Sequence, residues 1–96
     1  MTVTLARSAL DDIARVYAYY SERDYEHGER VVRAIMKACE GLADFPLLGK
    51  TGALEGTRER LMTRHPYRLV YKIEGETIYV IRVAGTRQQW PPDGDA

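Results

Sequence analysis

The stretch TRERLMTRHPYRLVYKIEGETIYVIRVAGTRQQW, residues 57–90, decides the fold. It reads as three strands, at 57–63, 67–74 and 77–86. The middle one alternates Tyr67, Leu69, Tyr71 and Ile73 against Arg68, Val70, Lys72 and Glu74, the two-residue period of a strand with one buried face. Glu74-Gly75-Glu76 is short enough for a tight hairpin into the third strand. Gly85 loosens the end of that strand, and Pro91-Pro92 stops it.

Working back from this stretch, residues 46–56 hold three glycines and one proline without periodicity, and read as a loop. Before it, Val31, Val32, Ile35, Met36, Cys39, Leu42 and Phe45 recur at helical spacing, with Arg30, Arg33, Lys37 and Glu40 opposite. Pro46 ends that helix. Leu10, Ile13, Ala14, Tyr17 and Tyr20 form an earlier stripe, with Ser8 as its N-cap and Asp11 in its first turn. Residues 24–28 are a polar break; His27-Gly28 marks either the bend between two helices or the first turn of the second. Residues 1–5 alternate weakly and form a short first strand.

The predicted order is β-α-α-β-β-β, an α+β fold with a helical hairpin packed on one face of a small, mainly antiparallel sheet. Residues 1–90 make a single domain, and 91–96 a C-terminal tail. The inner face is assigned Tyr67, Leu69, Tyr71, Ile73, Tyr79, Ile81 and Val83. The other face then carries Arg68, Val70, Lys72, Ile78, Val80 and Arg82, half apolar and half basic, with no further helix to cover it.

Ninety-six residues suffice for one modest core. No apolar run approaches the ~18 residues of a membrane span, and the N-terminus lacks a secretory pattern. Cys39 is alone, so no internal disulfide can form. A cytoplasmic protein is expected, with no membrane association. The net charge is zero, but unevenly spread: residues 50–90 hold eight Lys/Arg and four Asp/Glu, whereas residues 1–49 hold six and eight. Such a separation can steer an anionic partner.

Several chemistries are excluded by inventory. Gly49-Lys50-Thr51-Gly52 lacks the glycine spacing and following helix of a phosphate loop. His27 and His65 have no ligand-spaced companions, so no metal and no cofactor are expected. Cys39 sits on an apolar stripe and reads as an inert buried thiol. The arginines remain. Arg58 and Arg60 are two apart and share a face; Arg68 and Arg82 lie on adjacent strands. Guanidiniums gathered on one face repel each other unless an anion or acidic partner sits among them. Trp90 reads either as a cap on the end of the core or as a contact residue beside Arg87.

These residues resemble the RelE/ParE superfamily, the toxins of bacterial type II toxin–antitoxin pairs. The resemblance runs through Ala9-Leu10-Asp11-Asp12-Ile13-Ala14, Phe45-Pro46-Leu47-Leu48-Gly49-Lys50 and Gly56-Thr57-Arg58-Glu59. It continues through Pro66-Tyr67-Arg68-Leu69-Val70-Tyr71, Ile81-Arg82-Val83 and Gln89-Trp90-Pro91, covering nearly the whole chain. The RelE branch implies a ribosome-dependent messenger RNA endonuclease, with Arg58, Arg60, Arg68 and Arg87 as its basic set. RNA cleavage through the 2′-OH also needs a group to take that proton. The branch's late tyrosine has no counterpart here: Trp90 stands nearby and cannot act as a base.

The ParE branch is the better match. It implies a binding inhibitor of DNA gyrase, not an enzyme, with Arg87 and Trp90 as candidate target contacts. Either branch implies a hetero-oligomer with a cognate antitoxin, ParD-like or other, whose C-terminal segment folds onto the toxin. The antitoxin-binding residues expected on the uncovered face are Arg58, Arg60, Arg68, Val70, Ile78, Val80 and Arg82.

Overall fold

The computed structural model describes residues 1–92. Strand β1 (Thr2–Leu5) leads into helices α1 (Arg7–Ser21) and α2 (Tyr25–Gly41). Strands β2 (Lys50–Thr51), β3 (Arg58–Leu61), β4 (Tyr67–Glu74) and β5 (Thr77–Gly85) follow. They form one sheet in the order β1-β5-β4-β3-β2, parallel only between β1 and β5. The two helices pack on one face of it. The predicted architecture is therefore present, with a two-residue strand added inside the region read as loop.

The helical hairpin is built as its sequence suggests, with shifted ends. Asp24 caps α2: its Oδ1 accepts from the backbone N–H groups of Glu26 and His27 at 3.1 and 3.3 Å. Gly28 thus belongs to the first turns of α2. The helix stops at Gly41, well before Pro46, and Phe45 is exposed. Ser8 does not cap α1; it lies inside the helix, and its hydroxyl donates to the Ile81 carbonyl. Asp11 consequently falls beyond the first turn. The buried side of α1 is Ala9, Asp12, Ile13 and Val16, so the stripe is rotated from the predicted one and leaves Leu10 and Ala14 exposed.

Residues directly opposite in a ladder share a face. Leu69 faces Val83, Tyr71 faces Val80 and Ile73 faces Ile78 across β4 and β5. Between Val70 and Tyr71 the register shifts, leaving Ile81 without an opposite residue. This bulge reverses the alternation of β5. Ile78 and Val80, expected on the uncovered face, are fully buried in the helix-side core with Leu69, Tyr71 and Val83. Tyr79 and Ile81, expected inside, are not in that core. Strict period-two reading fails here because one extra residue in β5 is invisible to it.

Candidate functional site

On the sheet face away from the helices, Glu59, Val70 and Arg82 form a row across β3, β4 and β5. Arg68 on β4 donates to Glu59 Oε1 at 3.0 Å. Trp90, arriving from beyond β5, donates its indole N–H to Glu59 Oε2 at 3.0 Å. The same ring lies 5.5 Å from the Arg82 guanidinium carbon. The indole thus spans the two residues flanking Val70, which accounts for the complete burial of Val70 on a face without helices. Burial alone would raise the Glu59 pKa. Hydrogen bonds from the Ala53 backbone N–H, Arg68 and Trp90 outweigh it and hold the carboxyl below the usual range.

Arg82 is also engaged at the sheet edge. Its Nε and Nη2 donate to the two oxygens of Asp12 at 2.8 and 3.1 Å. Asp12, 5% exposed, also accepts from the Val83 backbone N–H and from Arg15. Arg58 donates to the Gly49 carbonyl at 2.7 Å and fastens the loop after α2. That loop is held by Tyr71 too, whose hydroxyl donates to the Pro46 carbonyl and accepts from the Gly49 N–H.

The expected uncovered basic face is therefore neither bare nor where all its members lie. Arg58 and Arg60 pair opposite Tyr71 and Leu69, placing them on the helix side of the sheet. Arg68 lies on the opposite face, bonded to Glu59. Val70 is fully buried between Glu59 and Arg82, and Ile78 and Val80 are in the core. Residues 57–90 alternate basic and apolar side chains without revealing that Glu59 and Asp12 would neutralise two of the arginines.

Several cations with no ion pair among the described residues gather elsewhere. Lys37 and Arg60, with Arg64 and His65 of the β3–β4 turn, line a groove between α2 and that turn, floored by Ala34, Ala38 and Met62. Around the turn, Arg64 and Arg87 border a second depression with Leu61 and Arg68. Helical spacing puts Lys37 and Arg33 alike on the polar face of α2. The small residues Ala34 and Ala38 beside Lys37 were the signal that something approaches the helix there. Among the described residues there is no cluster of three or more His, Cys, Asp or Glu suited to a metal. None of the helices is long and apolar enough to cross a membrane.

The comparisons with known proteins agree on one group. The family model described as ParE toxin of the type II toxin–antitoxin system parDE matches residues 3–90. The Y4kP protein of Sinorhizobium fredii (strain NBRC 101917 / NGR234), named as a candidate toxin, is 32% identical over 83 residues. The match covers 86% of this chain and 85% of that protein. Among solved structures, the chromosomal ParDE toxin–antitoxin system from P. aeruginosa superposes with a TM-score of 0.83 at 20% identity, covering 91% of this chain and 97% of that one. The RelBE2 toxin–antitoxin complex from Mycobacterium tuberculosis gives 0.65 at 27% identity, covering 88% and 95%.

Proposed function

This chain belongs to the ParE toxin family of type II toxin–antitoxin systems, and we propose that it binds DNA gyrase in the bacterial cytoplasm and so blocks replication. A cognate antitoxin neutralises it through a C-terminal segment that folds onto the toxin. The observation that carries a binding mechanism over a cutting one is the separation of the arginines. Arg58 and Arg60 stand on the helix side of the sheet, Arg68 on the other. Arg58 and Arg68 are already bound to Gly49 and Glu59. No tyrosine follows Tyr79 in the sequence, and Trp90 has only an N–H to donate. A ribonuclease needs its cations and its base within reach of one phosphate.

The second reading, a RelE-like ribosome-dependent messenger RNA endonuclease, draws on the likeness to the RelBE2 complex. It also draws on the depression where Arg64, Arg68 and Arg87 meet. Purified gyrase and translating ribosomes, each treated with the toxin, separate the two. Lost supercoiling with intact messages is the expected result; truncated messages with normal supercoiling overturn the gyrase reading.

A further inference from the structure

We propose that the groove between α2 and the β3–β4 turn, with the adjoining turn surface, receives an acidic and partly apolar segment of the antitoxin; this rests on the toxin–antitoxin reading above. Lys37, Arg60 and Arg64 line the groove, and no Asp or Glu lines it. None of the three has an ion-pair partner among the described residues, whereas Arg68 and Arg82 each have one. Like charges brought around one depression repel until an anion joins them. Arg87 extends the same field, because its depression shares Met62, Thr63, Arg64 and His65 with the groove.

The kind of anion follows from the rest of the lining. The floor is apolar, and Leu61 stands 55% exposed at the rim of the turn. No Phe, Tyr or Trp lines either depression. Single-stranded nucleic acid is held by such rings as stacking platforms. An acidic peptide needs none, and its apolar side chains would use Ala34, Ala38, Met62 and Leu61. Backbone pairing is available too. Strand β2 pairs only with Arg58 and Glu59, so the outer edge of β3 at Leu61 has no strand beside it among the described residues. An extended segment can add there.

The test titrates the purified chain with its cognate antitoxin and, separately, with a fluorescein-labelled single-stranded RNA oligonucleotide. The variant Lys37→Glu/Arg64→Glu is compared with Arg7→Glu/Lys72→Glu, which makes the same charge change away from the groove. The groove variant should weaken antitoxin binding about tenfold or more, and the control should not. Arg64→Ala, at an exposed turn position, should give a smaller loss in the same direction even if the double variant melts early. Antitoxin binding unchanged in a folded groove variant overturns the inference and leaves the toxin–antitoxin reading standing. Absence of antitoxin binding by the wild-type chain overturns both. Loss of RNA binding with antitoxin binding kept assigns the groove to nucleic acid and overturns the inference.

Discussion

The Asp12 carboxylate accepts both an Nε and an Nη2 hydrogen bond from Arg82, although 70 positions separate the two residues. It accepts a third from the Val83 backbone N–H. Strand β1 pairs with β5 only as far as Val80. Beyond that point α1 runs beside the open edge of β5, and Asp12 and Ser8 take up backbone groups that a strand would otherwise satisfy. Asp12→Ala takes an acceptor away from the buried Val83 N–H and from the Arg82 guanidinium and should cost about 3 kcal/mol. For a domain of this size that lowers Tm by more than about 10 °C. Asp12→Ala/Arg82→Met should be less damaging than the sum of its parts in thermal denaturation. Simple additivity would show the pair to be uncoupled.

Glu59 links β3, Arg68 and Trp90, and its folded pKa lies below the ordinary 4.5. The unfolded chain therefore takes up the proton first as the pH falls. Its stabilisation is complete above the unfolded pKa and is lost as pH drops through the folded one. The urea midpoint of the wild type should fall more steeply below about pH 4.5 than that of Glu59→Gln. Glu59→Gln at neutral pH should cost about 1–2 kcal/mol, since charge-assisted bonds to Arg68 become neutral ones. Parallel pH profiles would show that Glu59 does not carry the acid sensitivity.

The architecture was legible because its signals are periodic: two helical stripes, the alternation of β4, and a hairpin turn at Gly75. What was not legible depends on single-residue departures from period. The bulge at Ile81 moved Ile78 and Val80 into the core. The position of Asp12 on the buried side of α1 looked like a charged residue between apolar ones. The two-residue spacing of Arg58 and Arg60 puts them on one face, but which face is set by register with β4, which spacing does not fix. The groove cations come from two elements, α2 and the β3–β4 turn, and only the packing of one against the other brings Lys37 near Arg64.

Tyr71 is fully buried, and its hydroxyl is the shared partner of Pro46 and Gly49. Tyr71→Phe keeps the ring in the core but leaves a carbonyl and an N–H in the loop without that partner. The expected cost is about 1–3 kcal/mol. Hydrogen exchange should locate it: the Gly49 amide should lose protection more than amides of β5. Uniform loss across the sheet would argue that the hydroxyl does not serve to hold this loop in particular.

Cys39 is 1% exposed, and burial, with a lesser contribution from Glu40, pushes its pKa up to about 11. Thiolate is then scarce at pH 8 and grows only as the pH approaches 11. Dithionitrobenzoate should leave the native protein unmodified at pH 8 and react promptly once urea unfolds it. Prompt reaction of the native protein would contradict the burial of the thiol.

Gly28 in α2 reverses the usual rule for helices. Replacing a helical glycine with alanine ordinarily stabilises by about 0.5–1 kcal/mol. A Cβ at Gly28 would collide with Ser21 Oγ, and would lie 3.1 Å from the Ser21 nitrogen and 3.3 Å from its Cα. Ser21 ends α1, so the glycine is what allows the two helices to meet closely at the hairpin bend. Gly28→Ala should therefore destabilise by about 1–3 kcal/mol. The Ser21 hydroxyl is buried without a hydrogen-bond partner among the described residues, so Ser21→Ala alone should be neutral or slightly stabilising. Combined with Gly28→Ala it removes the hydroxyl clash but not the backbone contacts. Recovery of the melting temperature should be partial. Full recovery would place the whole conflict in the hydroxyl, and a higher Tm for Gly28→Ala alone would mean that the hairpin has room to spare.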